Sequence, residues 1–338
     1  MSNESVSPDS SARESARAIR AGDRRIMART ITRLESTRDE DREIGQAVLE
    51  ALIAESGDAI RVGITGPPGV GKSTFIEALG LHLIEEGKRV AVLAVDPSSP
   101  VTGGSILGDK IRMDRLAVRP EAFIRPSPSG GSLGGVADRT REVMLLCEAA
   151  GYDVVLIETV GIGQSEVAVS SMVDFFLVML LPAGGDELQG IKKGVVELAD
   201  VLVVNKADGA MKTIAERTRA DYGGALELIR PSSDAWRPRA MTVSALESQG
   251  ISEVWETILE HHELMRANGQ FDERRRAQSR AWMWKLLEDG IDRAFREQPG
   301  MRDAIEREEE AVAAQETSPA AAARTLLNAF RSSFRSNR

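Results

Sequence analysis

The chain has 338 residues, 42% hydrophobic and 28% charged, which is enough for one large domain with extensions. Its formal net charge of −9 argues against nucleic acid or an anionic membrane surface as a general partner. A single cysteine, Cys147, excludes an internal disulfide framework and fits a reducing compartment. Only three histidines accompany it, which argues against a dedicated His/Cys metal site.

Targeting signals are also missing from the sequence. No apolar run reaches the roughly 18 residues that a membrane span needs. The first residues lack an apolar signal-peptide core, and they carry acids that a mitochondrial transit peptide avoids. We therefore expect a cytoplasmic protein that has neither a membrane nor a nucleic acid as partner.

Residues 1–57 are predicted to form an N-terminal helical extension. About the first 12 residues are polar and rich in Ser, which favours disorder. Two helical patterns follow, each with apolar residues that recur on one face. These residues are Ile19, Ile26, Ile31 and Leu34 in the first pattern, and Ile44, Ala47, Val48, Ala51 and Leu52 in the second.

Residues 58–250 alternate short apolar runs with helical stretches. Runs that are rich in β-branched residues and do not strictly alternate are typical of strands covered on both faces. The pattern predicts an α/β domain with a mostly parallel, doubly wound sheet. The predicted strands are IRVGIT, RVAVLAV, DVVLIET, DFFLVMLL, DVLVVN and RAMTVSAL.

Residues 251–338 show no strand pattern and are predicted to be helical. Ser318 and Pro319 read as an N-cap followed by proline at the first helical position. A tail helix with an apolar stripe needs a surface to pack against, either its own domain or a second copy of the chain. The two stripes are Met283, Trp284, Leu287, Ile291 and Phe295, and then Ala323, Leu326, Leu327, Phe330 and Phe334.

The segment GPPGVGKS at residues 66–73 matches the phosphate-binding loop pattern G-x-x-x-x-G-K-[ST]. Glycines allow the backbone N–H groups to converge on phosphate oxygens at the start of the following helix. Lys72 is expected to reach the β- and γ-phosphates, and Ser73 to offer its hydroxyl to Mg²⁺. The predicted nucleotide-binding residues here are Gly66, Pro68, Gly69, Val70, Gly71, Lys72, Ser73 and Thr74.

The segment NKAD at residues 205–208 predicts that the base is guanine. A carboxylate at Asp208 can accept both N1–H and the N2 amino hydrogens of guanine, whereas adenine would leave it unpaired, a difference of about 10⁴ in affinity. Asn205 is expected to shape the loop, and the stem of Lys206 to cover the base. Residues 244–246 (Ser244, Ala245 and Leu246) end a later predicted strand, where a backbone N–H can meet guanine O6.

Carboxylates at the ends of two other predicted strands suggest where the metal lies. Glu158 ends the strand before ETVG and is predicted to bind Mg²⁺ through water, while Gly161 places an N–H near the γ-phosphate. Asp96 ends another strand at the same edge, and Asp109 lies in a long loop. A helix-capping role for Asp96 and a solvated position for Asp109 stay open. No catalytic glutamine follows the ETVG glycine directly, so slow intrinsic hydrolysis that a partner stimulates is expected.

These motifs together resemble those of the MeaB/ArgK family of GTPases that are associated with methylmalonyl-CoA mutase. The resemblance runs from about residue 19 into the C-terminal helices. It rests on GPPGVGKST, VDPSSPVTGGSILGDKIRM, RPSPSGGSLGGVA, ETVGIGQSE, LLPAGGDELQGIKKG and NKAD.

The resemblance implies a homodimeric chaperone that binds GTP, GDP and Mg²⁺, gates the loading of adenosylcobalamin into the mutase and protects the mutase from inactivation. It implies that Lys72, Asp96, Asp109 and Glu158 serve hydrolysis and that Ser73, Asp96, Asp109 and Glu158 form the metal side. Residues 181–192 correspond to a switch that passes the nucleotide state to the mutase, although an ordinary strand–helix connection is an equally open interpretation. The switch residues are Gly184, Gly185, Asp186, Glu187, Gln189 and Lys192.

Two other functions compete with this interpretation. A metal-insertion GTPase of similar fold would need soft or imidazole ligands for its cargo, and the histidines available are His82, His261 and His262. A small-molecule kinase with a phosphate-binding loop would favour ATP, and NKAD argues against that choice.

Overall fold

The structure, a computed structural model, describes residues 8–53, 56–95, 113–126, 133–159, 165–182, 193–228 and 235–336. The chain divides into two compact units, residues 1–275 and residues 276–338. No helix within these described ranges has the length and apolar character needed to cross a membrane.

The first unit is built on a seven-stranded sheet in which every pair of neighbouring strands is parallel, as the sequence predicts. The spatial order is β3-β2-β4-β1-β5-β6-β7. All strands therefore direct their carboxyl ends to one edge, where ligands of such sheets bind. The strands are β1 (Ile60–Thr65), β2 (Val90–Val95), β3 (Ala122–Arg125), β4 (Val154–Thr159), β5 (Phe175–Leu180), β6 (Val201–Val204) and β7 (Arg239–Thr242).

Six of these strands lie in the predicted apolar runs, and β3 was not predicted. Its four residues, AFIR, are too few for a clear periodicity and are bounded by Pro120 and Pro126. Pairing with β2 stabilises it, with Val92 opposite Ile124 in the register. The last predicted run was too long, because β7 ends at Thr242, before the segment 244–246.

Helices cover both faces of the sheet and create two apolar clusters. One cluster contains α4 and α10, and the other contains the N-terminal helices and α6. Every residue of β2, β4, β5 and β6 is buried because a helical layer lies above and below these strands, whereas the edge strand β7 is partly exposed. The helices of this unit are α1 (Pro8–Arg20), α2 (Arg24–Leu34), α3 (Asp39–Glu50), α4 (Lys72–Glu85), α5 (Asp114–Ala117), α6 (Leu133–Ala149), α7 (Ser165–Ser170), α8 (Lys193–Val196), α9 (Lys212–Leu228), α10 (Ile251–Ala267) and the start of α11 (Gln270–Glu297).

The N-terminal extension is helical, but it begins earlier than expected. Helix α1 starts at Pro8 and buries Ala12, so the prediction of disorder is wrong for residues 8–12. Asp23 caps α2, since its Oδ1 accepts from the backbone N–H groups of Arg25 (2.9 Å) and Ile26 (3.0 Å). In the second predicted pattern Val48 and Leu52 are buried, whereas Ile44 is 40% exposed.

The border between the units differs from the predicted border at residues 250/251. Helix α10 belongs to the first unit because it buries Val254, Trp255 and Ile258 in the same cluster as α4. Trp255 Nε1 also donates to Glu86 Oε2, just after α4 (2.9 Å). The division falls after Arg275, inside α11.

The second unit consists of the rest of α11, α12 (Met301–Ala313) and α13 (Pro319–Ser336). The predicted start of the last helix is confirmed, since α13 begins at Pro319 and Ala321 N donates to Ser318 Oγ (3.2 Å). Phe295 and Phe330 meet with ring centroids 5.3 Å apart. The apolar stripe of α11 is largely exposed, and Trp284 is 57% accessible.

Candidate functional site

The loop between β1 and α4 needs glycine at two positions in particular. Gly66 has φ +153° and Gly71 has φ +95°, which side chains rarely allow. A Cβ at Gly66 would lie 2.6 Å from the carbonyl oxygen of Met179, and one at Gly71 would lie 2.7 Å from Asn205 Nδ2. Helix α4 begins at Lys72, so the loop places backbone N–H groups at a helix N-terminus.

Lys72 lies inside this loop. Its Nζ donates to the carbonyl oxygens of Gly66 (2.8 Å) and Pro67 (3.3 Å), and the residue is buried. The ammonium group is thereby held at the mouth of the loop, at the positive end of α4, where an anion is stabilised by both charges.

Ser73 and Glu158 connect the loop with β4. Ser73 Oγ donates to Glu158 Oε1 at 3.2 Å, and Glu158 is buried near the end of its strand. In the sheet register Glu158 lies opposite Ile64, which belongs to the cluster that α4 covers. A hydroxyl and a carboxylate side by side are the oxygen donors that Mg²⁺ prefers, so these residues fit the ion.

Asn205 connects the phosphate loop with the predicted base loop. Its Nδ2 donates to the carbonyl oxygen of Val70 (2.8 Å), and its Oδ1 accepts from Ala245 N (3.0 Å). The residue is buried directly after β6. One amide side chain thus joins the segments that contain Val70, Asn205 and Ala245.

Asp208 is oriented by the segment 244–246. Ser244 Oγ donates to Asp208 Oδ2 at 2.6 Å, and Ser244 itself is fixed by backbone hydrogen bonds in both directions with Gln249. Lys206 is exposed and has φ +60°, an uncommon angle for a residue with a side chain. The carboxylate and the lysine stem therefore lie on a short loop, and this loop is held at Asn205 and Asp208.

Several predicted site residues lie outside the described residues. They are Asp96, Asp109, Gly161 and the switch residues Gly184, Gly185, Asp186, Glu187, Gln189 and Lys192. The described strands end directly before two of these segments, β2 at Val95 and β4 at Thr159. The remaining predicted positions, Pro68, Gly69, Thr74 and Leu246, lie on the surface of the same carboxyl edge.

Sequence reasoning missed one polar contact at this edge. The hydroxyl of Thr159 donates to Thr65 Oγ1 at 2.7 Å, and both residues are buried. Each threonine is the last residue of its strand, β4 or β1, directly before a loop that carries predicted site residues. This shared position at the two strand ends is the sequence feature that could have predicted the contact between the threonines.

The opposite, amino edge of the sheet holds a second set of charged residues. Arg61 donates to both carboxylate oxygens of Glu148 (2.6 and 2.8 Å). Arg275 donates to both carboxylate oxygens of Asp174 (2.9 and 2.6 Å) and to the carbonyl oxygens of Gly57 and Ala59. Both carboxylates are buried, so these ion pairs connect α6 with β1, and α11 with the residue that precedes β5.

A buried aspartate and a buried histidine lie at the same amino edge. Burial raises the pKa of Asp200 to about 6, while Arg274, 4.0 Å away, acts in the opposite direction. Burial lowers the pKa of His261 to about 4. His261 Nε2 lies 3.9 Å from Asp200 Oδ1, and the imidazole packs edge-on against Phe175 and Trp236.

A transported metal would need a cluster of ligating side chains. Across the described ranges, no group of three or more His, Cys, Asp or Glu side chains is placed to hold a metal ion. Cys147 is buried, and burial raises the pKa of its thiol above the usual value. His82 lies on α4, with its Nε2 3.3 Å from Glu86 Oε1 just after that helix.

Comparison with known proteins gives one family. The family model described as "Methylmalonyl Co-A mutase-associated GTPase MeaB" matches residues 27–300. A probable GTPase from Mycobacterium tuberculosis is 55% identical over 313 residues, which cover 92% of this chain and 93% of the relative. The GTPase ArgK of Escherichia coli is 50% identical over 278 residues, covering 82% and 84%.

Two further similarities are to a mouse protein and to a solved structure. The mitochondrial methylmalonic aciduria type A homolog of Mus musculus is 46% identical over 321 residues, covering 92% of this chain and 77% of the relative. A crystal structure described as "LAO/AO transport system kinase" is 38% identical with a TM-score of 0.77, covering 98% of this chain and 99% of that one.

Proposed function

This chain belongs to the MeaB family of methylmalonyl-CoA mutase-associated GTPases and is itself a GTPase, and we propose that it gates the loading of adenosylcobalamin into a methylmalonyl-CoA mutase. In this proposal it also protects the mutase from inactivation. The observation that carries the proposal is the family match over residues 27–300, because the family is described by its association with that mutase. The nucleotide site supplies the state that the mutase would read.

Phosphate binding and hydrolysis are assigned to the loop that begins at Gly66. Lys72 exchanges its bonds to the loop carbonyls for bonds to phosphate oxygens, and the loop N–H groups hold the same anion. Ser73 and Glu158 would hold Mg²⁺, which would neutralise charge on the phosphates. Asp96 and Asp109 complete the metal side, and Gly161 contributes an N–H to the γ-phosphate. With no glutamine directly after Gly161, hydrolysis is slow until a partner positions the attacking water.

Guanine selection is assigned to Asp208, with Lys206 over the base and residues 244–246 at guanine O6. The hydrogen bond from Ser244 fixes one carboxylate oxygen, so the carboxylate is oriented before the base arrives. Exchange of Asp208 for Asn should lower the affinity for GDP by about 10⁴, since one acceptor becomes a donor. Calorimetry with GDP and ADP measures this. Equal binding of ADP and GDP by the unchanged chain would contradict the assignment.

Communication of the nucleotide state to the mutase is assigned to residues 181–192. The segment PAGGDE is rich in glycine and charge, so a loop of this composition can adopt two conformations at small cost. It follows β5, the strand that pairs with both β1 and β6, which lead into the phosphate loop and the base loop. A change at the nucleotide therefore has a short route to this loop.

A homodimer is proposed through the second unit. The stripe of α11 leaves Met283, Trp284, Leu287 and Ile291 about half exposed, which is a large apolar surface for a monomer. A second copy can cover it by isologous packing. Light scattering after size exclusion should give twice the chain mass for the native chain and one chain mass for Trp284→Glu with Leu287→Glu. A monomer at micromolar concentration in the native chain would contradict the dimer.

The client proposal is tested by capture of a purified adenosylcobalamin-dependent methylmalonyl-CoA mutase on the immobilised full-length chain. The chain is loaded with GDP, with a non-hydrolysable GTP analogue or with no nucleotide. We expect capture, and the transfer of adenosylcobalamin followed by its absorbance, to differ between the nucleotide states. Asp208→Asn is the matched control, since it should remove the difference while leaving the fold intact. Transfer at one rate in all three states would contradict the gating role.

A further inference from the structure

The ends of β1 and β4 carry a pair of hydroxyls where aliphatic side chains would be expected. Thr65 is 1% exposed and Thr159 is 0% exposed, and their Oγ1 atoms lie 2.7 Å apart. The two strands are neighbours, with Ile64 opposite Glu158 in the register, so the threonines are the next pair along. The remaining buried positions of these strands are apolar except for Arg61 and Glu158.

A valine pair would fill the same space without a polar group. Valine has nearly the shape of threonine, and burial of a hydroxyl is unfavourable unless it is hydrogen-bonded. The pair satisfies this condition internally, because the Thr159 hydroxyl donates to Thr65. Packing alone does not require this chemistry at a strand end, so a directional contact between the two strands is the feature to explain.

The neighbours of the pair are groups that face the nucleotide. Thr65 precedes Gly66, whose carbonyl oxygen accepts from Lys72 at 2.8 Å. Thr159 follows Glu158, which accepts from Ser73 at 3.2 Å. The side chains of successive strand residues point to opposite faces, so the hydroxyl pair lies on the face opposite Glu158. It therefore contacts the site only through the backbone.

We infer that the Thr65–Thr159 hydrogen bond is a positioning contact that sets the phosphate loop and the metal-side carboxylate at a fixed separation. The bond joins the last residues at which both strands still follow the sheet. Beyond Thr65 the chain leaves the sheet and enters the glycine-rich loop before α4, where strand pairing no longer holds it. Neither threonine is a catalytic residue, since both act through Gly66 and Glu158.

The test compares single and double valine variants of the full-length chain. Thr65→Val or Thr159→Val leaves one buried hydroxyl unpaired, so each single variant should lower the Tm. The double variant T65V/T159V removes both hydroxyls and should recover most of the Tm, because an apolar pair of the same shape is nearly neutral. T65S/T159S keeps the hydrogen bond, and Thr140→Val removes a buried hydroxyl that bonds only within α6.

The readouts are the single-turnover rate of GTP hydrolysis, its dependence on Mg²⁺ concentration and the Kd for GDP without Mg²⁺. We expect T65V/T159V to hydrolyse GTP on the order of 10-fold more slowly, because small displacements of reacting groups have large effects on rate. It should need several-fold more Mg²⁺, while its Kd for GDP stays within about twofold of native, as for the serine and Thr140 controls. A rate that recovers together with the Tm in T65V/T159V would overturn the inference. An equal loss of GDP affinity would overturn it as well, since the loop itself would then be damaged.

Discussion

The two edges of the sheet use polar residues in opposite ways. At the amino edge, Arg61, Glu148 and Asp174 are buried and Arg275 is largely covered, and each arginine bonds to its carboxylate with bidentate geometry. At the carboxyl edge, Lys72 is bonded to carbonyl oxygens of its own loop, a contact that can be exchanged for phosphate. The amino edge is stabilised by contacts that exclude a ligand, while the carboxyl edge has contacts that a ligand can replace.

The backbone shows the same difference. The carboxyl edge contains Gly66 and Gly71 at positive φ and close to other loops, so its geometry tolerates no side chain there. The amino edge instead uses side chains, with Arg275 reaching the carbonyl oxygens of residues 57 and 59 as well as Asp174. Variants at the two edges should therefore separate activity from stability.

The largest effect is expected from Lys72→Ala. The rate of GTP hydrolysis should fall on the order of 10³-fold, because a positioned cation on the phosphates is removed. The free energy of unfolding should change much less, since the bonds from Lys72 Nζ to the carbonyl oxygens of Gly66 and Pro67 lie within its own loop. Single-turnover assays and thermal melting measure the two quantities. A parallel loss of stability would mean that the edges do not differ as described.

Next in size is Arg275→Ala at the amino edge. The free energy of unfolding should fall by about 3 kcal/mol, because Asp174 keeps its burial and loses its bidentate partner. Denaturant titration measures this. Nucleotide affinity of the folded fraction should be unchanged, and a weakened Kd for GDP at full folding would break the comparison. Arg274→Ala is the control, since Arg274 is 4.0 Å from Asp200 and more exposed.

The pH dependence of stability should reveal opposing titrations of Asp200 and His261. The pKa of Asp200 is raised to about 6 in the folded protein, so its contribution to the free energy of unfolding falls as the pH rises from about 4 to 6. The pKa of His261 is lowered to about 4 in the folded protein, so its contribution to the free energy of unfolding falls as the pH falls from 6.5 to 4. Between pH 4 and 6 the two contributions offset each other in the native chain.

A variant at either residue should leave only the other titration. Its free energy of unfolding should then change by about 1–2 kcal/mol between pH 4 and 6. Asp200→Asn should become less stable than native toward pH 4, and His261→Phe should become less stable relative to its own value at pH 4 as the pH rises to 6. The phenyl ring keeps the edge-on packing against Phe175 and Trp236. Denaturant midpoints at half-unit pH steps measure the slopes, and parallel profiles for both variants would refute the assignment.

The smallest effect is expected for the exposed ion pair between the first residue of β7, Arg239, and Glu260 on α10. Arg239 and Glu260 also form a two-bond contact, but their side chains are 45% and 55% exposed. Solvent screening limits such a pair to about 0–1 kcal/mol. The loss in free energy of unfolding should therefore be several-fold smaller for Arg239→Gln than for Arg275→Ala. Equal losses would show that burial does not decide the value of the amino-edge pairs.

Much of the fold follows from patterns that are local in sequence. The six predicted strands lie within apolar runs of six to eight residues in the sequence, and Ser318 with Pro319 predicted the start of α13. The short β3 escaped prediction because four residues carry no periodicity and only pairing with β2 stabilises them. The border after residue 275 was not predicted either. The sequence of α10 shows a helix, but only its packing in the same apolar cluster as α4 shows that it belongs to the first unit.

The sequence by itself determined the phosphate loop, the base loop and the parallel sheet, because glycine angles, apolar runs and residue spacing act over a few neighbours. Tertiary structure alone decided that Asn205 joins Val70 to Ala245, that Ser244 orients Asp208 and that Thr65 meets Thr159. These contacts join residues up to 135 positions apart. Only the strand order of the sheet brings such distant side chains within hydrogen-bond distance.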